Sequence, residues 1–160
     1  MKPSRSYLLL LLASALFGSH AQAEAPLHRY EIRGDVVVYD TRTKLSWQRA
    51  TAPGVFMTLA AAKVYCGALN LNGTGFRVPT LREQATIVDF GRANPSVDPG
   101  AFPDTLNEMY WSATVTRNTH DEPSNPPSYW GTFFDVGSTR TITISADSPP
   151  TVGVHLRCVR

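Results

Sequence analysis

Two cysteines are the residues of this chain best suited to chemistry. Cys66 lies in a stretch with helical spacing of apolar residues, and Cys158 is third from the C-terminal end. In an exported protein, two cysteines form a disulfide by default. The bond would enclose roughly 90 residues, and loop-closure entropy then predicts about 4 to 5 kcal/mol of stabilisation. The alternative is a reactive thiol at Cys66 paired with a histidine, which would leave Cys158 without a role.

Other sequence patterns that carry out catalysis are missing. The chain contains neither the Gly-x-Ser-x-Gly motif of α/β-hydrolases nor the His-Glu-x-x-His motif of zinc proteases. His28, His120 and His155 are far apart along the chain, and His155 alternates with apolar neighbours on a predicted strand. These observations favour a protein that is not an enzyme.

The N-terminal residues have the features of an export signal. Lys2 and Arg5 provide positive charge, and residues 7–17 form an apolar run too short to span a bilayer comfortably. Ala21-Gln22-Ala23 fits a small-x-small cleavage site, which predicts a signal peptide over 1–23 and a domain over 24–160. No second long apolar run follows, so we expect no membrane span in the mature chain. The alternative is an N-terminal anchor that is never cleaved.

The mature chain is predicted to be electrically neutral. The full sequence has 15 basic and 13 acidic residues, and removal of Lys2 and Arg5 leaves 13 of each. A neutral domain has no overall field that attracts nucleic acid or an anionic membrane. Its length suits one domain with a real core.

Two helices are predicted in the first half of the domain. The first has Thr58 as N-cap and buries one apolar stripe. The second begins with a capping box formed by Thr80 and Glu83, and Pro79 precedes the cap, where it costs no helix hydrogen bond. The predicted buried residues are Leu59, Ala62, Cys66 and Leu69 in the first helix, and Leu81, Ala85 and Val88 in the second.

Short strands are predicted before and after these helices. Two β-prone runs flank Arg33-Gly34-Asp35, which indicates a hairpin, and the alternation from Leu45 to Trp47 buries the indole. The predicted strands are 30–32, 36–39, 45–48, 110–113, 129–136, 141–145 and 152–159. With both helices in the first half, this order is typical of an α+β domain.

Sequence segments spread over most of the mature chain match one known family in order. They are Asp40-Thr41-Arg42-Thr43-Lys44-Leu45-Ser46-Trp47-Gln48-Arg49, Ala61-Ala62-Lys63-Val64-Tyr65-Cys66, Phe76-Arg77-Val78-Pro79-Thr80 with Glu83, Asn94-Pro95-Ser96-Val97-Asp98-Pro99, Tyr110-Trp111-Ser112-Ala113-Thr114 and Arg157-Cys158-Val159-Arg160. Through this set the chain resembles the Lcl C-terminal domain family, a domain of unknown function named for the tip domain of a collagen-like bacterial adhesin. The motif residues that we expect to be structural are Trp47, Arg77, Pro79, Thr80, Glu83 and Trp111.

The resemblance implies a C-type lectin-like fold, which is shared with sulfatase-modifying-factor domains. In such folds the two ends of the chain meet in one sheet, and a long loop region carries binding. A Cys66–Cys158 disulfide fits this layout, because it would join the first helix to the last strand. The family pattern is altered at the proline-rich loop over 115–128, which is long in this chain.

The resemblance also raises the question of calcium. Calcium-dependent lectins of this fold use a Glu-Pro-Asn type loop and a Trp-Asn-Asp type strand. Here Glu122-Pro123-Ser124-Asn125 interrupts the first motif, and Trp130-Gly131-Thr132 lacks the carboxylate and amide of the second. Asp121 and Glu122 are weak candidate calcium ligands, because calcium needs several converging oxygens. We expect no cofactor, with calcium as the alternative.

Aromatic and basic residues are the candidate ligand contacts. Aromatic rings stack on sugar faces and anchor protein interfaces. Trp130 is expected to be exposed, because Tyr129, Gly131 and Phe133 take the opposite face of their strand. Sulfated-polysaccharide binding, which is implied for some relatives, would need a basic cluster. The candidate contacts are Trp130, Tyr129, Arg117, Arg140 and Arg157.

These observations predict an exported recognition domain, periplasmic or extracellular, without catalytic activity. It would bind a carbohydrate or a surface protein at the cell envelope, and it would not bind nucleic acid. One rival is a periplasmic enzyme of the sulfatase-modifying-factor type, which requires a free thiol. Another is a purely structural envelope protein.

Overall fold

The fold is α+β, as predicted, with two helices, two small sheets and one disulfide among the described residues. The structure is a computed structural model that describes residues 28–54, 58–116, 128–143 and 153–160. The predicted signal peptide lies outside these ranges, within which no helix is long and apolar enough to cross a membrane. The elements are β1 (Tyr30–Arg33), β2 (Val37–Asp40), β3 (Ser46–Gln48), α1 (Leu59–Ala68), α2 (Leu81–Ile87), β4 (Met109–Val115), β5 (Ser128–Phe133), β6 (Ser138–Thr143) and β7 (Val154–His155).

The first sheet is antiparallel, with strand order β1-β2-β3. The predicted hairpin between β1 and β2 is confirmed, and its turn contains Gly34 and Asp35 at φ 59° and 57°. Glycine and aspartate tolerate this left-handed conformation better than most residues. The next turn is held by the buried carboxylate of Asp40, which accepts a hydrogen bond from the Arg42 N–H. Burial alone would raise the pKa of Asp40, but its bonds to Arg29 and Arg42 lower that pKa.

The second sheet has strand order β6-β5-β4-β7, in which only β7 is parallel to its neighbour. Successive side chains of β4 point to opposite faces. Trp111 therefore joins the apolar cluster that contains Leu59 and Cys66 of α1, and Tyr110 joins the cluster that contains Ile87 of α2. The two helices thus cover opposite faces of this sheet.

A turn interrupts the strand that was predicted over 129–136. β5 ends at Phe133, and the chain turns through 134–137 into β6. Gly137 at φ 71° supplies the left-handed conformation that the turn requires. As a result β6 begins three residues before the predicted strand over 141–145, whose last two residues lie outside the described ranges.

The C-terminal segment, residues 153–160, connects the two sheets. At its start β7 pairs with β4. Beyond β7 the chain leaves the second sheet, and the backbone of Cys158 and Arg160 forms hydrogen bonds with β3. Val159 pairs on its other side with Arg77. The predicted strand over 152–159 is therefore a two-residue strand of one sheet followed by an extension of the other.

The predicted disulfide between Cys66 and Cys158 is confirmed. The two Cα atoms are 5.6 Å apart, and both residues are fully buried. The bond joins α1 to the C-terminal segment over a sequence separation of 92 residues. Since the chain has two cysteines, the disulfide uses both thiols.

The predicted start of each helix is confirmed. Thr58 caps α1 by accepting the Ala61 N–H through its hydroxyl, and Thr80 forms the full capping box with Glu83 at the start of α2. The core-facing side of α1 includes Leu59, Ala62 and Cys66, as the stripe predicts, whereas Leu69 lies just beyond the helix and is half-buried.

The predicted buried face of α2 is wrong. Ala85 is exposed, and Gln84 and Ile87 are the buried residues of this helix. The side-chain amide of Gln84 donates to the Trp111 carbonyl (2.7 Å) and accepts from the Thr132 hydroxyl (3.1 Å). A polar side chain can face the sheet here because its hydrogen bonds are satisfied. The side chains left partly or fully open by this rotation are Leu81, Ala85 and Val88.

Candidate functional site

Two of the three tryptophans belong to the core. Trp47 on β3 and Trp111 on β4 are fully buried, as the strand alternation predicts. Trp47 packs in the same cluster as Val159 of the C-terminal segment, and Trp111 meets Tyr129 edge to face. Burying a large apolar side chain contributes about 2 to 3 kcal/mol to folding. These tryptophans stabilise the scaffold and are closed to an external ligand.

The motif over residues 77–83 joins three parts of the structure. Arg77 pairs with the C-terminal segment, and the Pro79 carbonyl accepts a hydrogen bond from the Ala113 N–H of β4 at 2.7 Å. Thr80 then caps α2. The Arg77 guanidinium binds both carboxylate oxygens of Glu83. These bonds, together with those from Thr80, lower the pKa of Glu83 to about 2.

Arg157 was predicted to contact a ligand, but the structure buries it, with 1% of its surface exposed. Burial lowers the pKa of Arg157, and interactions with Tyr110 and Asp104 partly offset this shift. Its guanidinium donates to the carbonyl oxygens of Gln48 and Arg49, the hydroxyls of Thr51 and Thr105, and the carboxylate of Asp104. Arg157 therefore holds three chain segments together and is not open to an external ligand.

A second set of polar side chains adjoins the cluster formed by Arg157 and its hydrogen-bond acceptors. Tyr110 connects the two sets. The Tyr110 hydroxyl lies 2.9 Å from Thr51 Oγ1, and its ring centroid lies 5.5 Å from that of His155. His155 is buried, and its Nε2 is 2.8 Å from the half-exposed carboxylate of Glu108. Because these side chains are engaged with one another, the arrangement stabilises the packing of β4 against β7. Within the described ranges no three His, Cys, Asp or Glu side chains are placed to hold a metal ion.

Sequence reasoning did not find this polar cluster. Its members come from residues 48–51, 104–110 and 155–157, which no local motif connects. The one available signal is Arg157, an arginine inside an apolar C-terminal run. From the sequence we assign it to a ligand contact, whereas the structure shows a buried charge.

Trp130 differs from the other tryptophans in its exposure. It is half-buried on β5, on the same face as Thr132, whose hydroxyl reaches Gln84 of α2. Tyr129 points to the opposite face and is buried. Of the two aromatic residues predicted to contact a ligand, only Trp130 is therefore accessible.

Arg140 lies on the other face of the sheet from Trp130. On β6 it is directly opposite Gly131, and directly opposed residues of an antiparallel pair share a face. The side chain is exposed, and its guanidinium carbon lies 4.9 Å from the centroid of the Phe133 ring. The described structure does not bring Trp130, Arg140 and Arg157 to one surface.

The remaining candidates lie outside the described residues. They are Arg117, the weak calcium candidates Asp121 and Glu122, and most of the loop over 115–128.

Comparison with known proteins identifies a family over most of the chain. The model of the Lcl C-terminal domain family matches residues 36–160. Comparisons with curated proteins and with solved structures gave no match. The family match covers the motif residues, which the structure uses to join the two sheets, α1 and α2.

The Arg77–Glu83 pair predicts a defined loss of stability in acid. A carboxyl whose pKa falls on folding stabilises the protein above its unfolded pKa, and this contribution disappears as the pH falls towards the folded value. We expect Glu83→Gln to lower the free energy of unfolding by about 1 kcal/mol at neutral pH. The difference from wild type should shrink between pH 5 and about pH 2.

Urea unfolding at several pH values measures this difference. Glu31→Gln is the matched control, since Glu31 forms an exposed ion pair with Arg33 and such pairs contribute little. A Glu83→Gln deficit that stayed constant down to pH 2 would mean that the ion pair is not its cause.

Proposed function

Because this chain belongs to the Lcl C-terminal domain family, we propose that it is an exported recognition domain with a C-type lectin-like fold. It binds a carbohydrate or a protein ligand at the cell envelope and catalyses no reaction. The disulfide from α1 to the C-terminal segment supports this fold. So does the pairing of that segment with the N-terminal sheet.

The accessibility of Trp130 is the observation that carries the proposed binding function. The scaffold buries the other two tryptophans and leaves this one partly exposed on β5. A partly exposed indole offers a flat apolar surface together with a hydrogen-bond donor, a combination that suits sugar rings and protein side chains.

The alternative of a sulfatase-modifying-factor type enzyme has less support. Its chemistry requires a cysteine thiol, and the disulfide joins both cysteines of this chain. The polar cluster around Arg157 offers no substitute, because its guanidinium is buried and bound to protein acceptors.

Binding in our proposal needs no calcium. Gly131 and Thr132 follow Trp130 where calcium-dependent lectins carry an amide and a carboxylate. Calcium is bound by several converging oxygens, usually including more than one carboxylate. Addition of EDTA should therefore leave ligand affinity unchanged.

Export is proposed from the signal pattern over residues 1–23 and from the disulfide, which forms stably in oxidising compartments. Expression of the full chain in a bacterial host, followed by fractionation and N-terminal sequencing, tests it. We expect a periplasmic or extracellular product that begins at Glu24. A product that keeps Met1 and stays with the membrane fraction would indicate an uncleaved anchor instead.

Trp130 provides a direct test of ligand binding. Acrylamide should quench one accessible tryptophan in the wild-type protein, and Trp130→Phe should remove that component, since Trp47 and Trp111 are buried. A glycan array and a pull-down from envelope extracts supply candidate ligands. A ligand bound at Trp130 should protect it from acrylamide, with and without EDTA. Blank results in both screens at protein concentrations up to about 1 mM would refute the recognition function.

A further inference from the structure

One flank of α2 is apolar and only partly covered. Gln84 faces the sheet, and at 100° per residue the side chains of Glu83 and Ile87 lie on one side of it. That side is directed towards the first sheet and the C-terminal segment, because Glu83 pairs with Arg77, the bridge partner of Val159, and Ile87 belongs to the same apolar cluster as Trp47. The other side of the helix carries Leu81 and Ala85, and Val88 follows just beyond the last helical residue. Ala85 is exposed, Leu81 is half-buried, and Val88 is half-buried against the cluster that contains Ile87.

This flank faces the β5–β6 side of the sheet. Val88 Cγ1 lies so close to the backbone of Gly137 that a side chain there would meet it, so the end of the flank touches the β5–β6 turn. Within the described residues α2 packs on β4 and β5, and its backbone stays away from that of β6. Thr139 and Thr141 of β6 are correspondingly exposed, on the same sheet face as Trp130, because Thr141 is directly opposite Trp130.

We define these six residues as the ledge: Leu81, Ala85 and Val88 form its wall, and Trp130, Thr139 and Thr141 form its floor. None of the six carries a charge. The nearest arginine of β6, Arg140, points to the opposite face of the sheet, and Arg82 projects from the side of α2 that faces away from Gln84. Two hydroxyls therefore lie beside a partly exposed indole, and the six side chains of the ledge are themselves uncharged.

We propose that the ledge is the ligand surface of this domain and that its ligand is a neutral glycan. This inference rests on the recognition function proposed above. The apolar face of a pyranose ring stacks on the Trp130 indole, and the Thr139 and Thr141 hydroxyls exchange hydrogen bonds with sugar hydroxyls. An anionic or sulfated polymer finds no cation on the ledge, so it gains nothing there from its charge.

The size of the ledge favours a sugar over a protein. A stable protein interface uses about 20 to 30 residues on each side. Even with the exposed ring of Phe90, which adjoins Val88 at the β5–β6 turn, the surface comprises seven residues and matches a few sugar units instead. Binding through so small a surface is weak for a single site, with a Kd in the range of about 10 μM to 1 mM.

An array in which each neutral oligosaccharide is printed beside its sulfated form tests the inference on the full-length mature protein. Ala85→Glu places a carboxylate and extra volume on the ledge at an exposed helical position where glutamate is well tolerated. Its matched control is Ala60→Glu, the same change at an exposed position of α1, on the other side of the sheet. Thr141→Val removes one hydroxyl without changing the side-chain shape.

Neutral glycans should bind the wild type, with affinity nearly independent of salt. We expect Ala85→Glu to weaken this binding at least tenfold and Thr141→Val about fivefold, the effect of one lost hydrogen bond. Ala60→Glu should stay within about twofold of wild type. Thermal unfolding of each variant verifies that its fold is retained.

The other outcomes separate the inference from the function on which it rests. Binding of sulfated forms alone, weakened by Arg140→Gln and not by Ala85→Glu, would overturn the ledge and leave recognition standing. A blank array together with a purified protein partner that binds directly would also overturn the glycan assignment alone. Failure to bind any glycan or protein would overturn both.

Discussion

The pairing of the C-terminal segment with both sheets is the constraint on which the rest of the structure depends. Within eight residues this segment pairs first with β4 and then with β3, and Val159 also pairs with Arg77. The two sheets share no other strand among the described residues. The disulfide fixes this segment to α1. Closing so long a loop lowers the conformational entropy of the unfolded chain, which stabilises the folded state by about 4 to 5 kcal/mol. Arg157 reinforces the same junction from inside the core.

This constraint explains why the family motif says little about the ligand. Trp47, Arg77, Pro79, Thr80, Glu83 and Trp111 lie at the contacts between sheets, helices and the C-terminal segment. Residues that hold such junctions are restricted by packing and by hydrogen bonding. Features that the junctions do not use can then differ between proteins with the same scaffold. Here the apolar flank of α2 and the exposed threonines of β6 are features of that kind.

The features that could be predicted from the sequence are those that depend on local chemistry. The capping box at Thr80 and Glu83 and the hairpin at Gly34 follow from backbone requirements, which neighbouring residues satisfy by themselves. The disulfide followed from the number of cysteines and the export signal. The buried face of α2 was mispredicted because the assignment assumed that apolar side chains face inward. Gln84 could take the core position only because Trp111 and Thr132, distant in sequence, supply its partners.

The candidate site was less predictable for the same reason. Arg140 and Trp130 are both predicted ligand contacts, but only the register of β5 and β6 shows that they lie on opposite faces. Arg157 lies in the terminal tetrapeptide, and its acceptors come from two segments that are distant from it and from each other in sequence, residues 48–51 and 104–105. The exposure of the α2 flank could not be predicted from the sequence, because it depends on how the helix is oriented on the sheet.

Residue-resolved hydrogen exchange in the oxidised and reduced protein tests the role of the C-terminal segment most directly. The amides of Ser46, Gln48, Ala52 and Arg77 donate to carbonyls of this segment. If the disulfide holds the segment in place, reduction should lower the protection of all four amides together. The β5–β6 amides should then lose less protection than these four. Unchanged protection of the four amides after reduction would contradict the account.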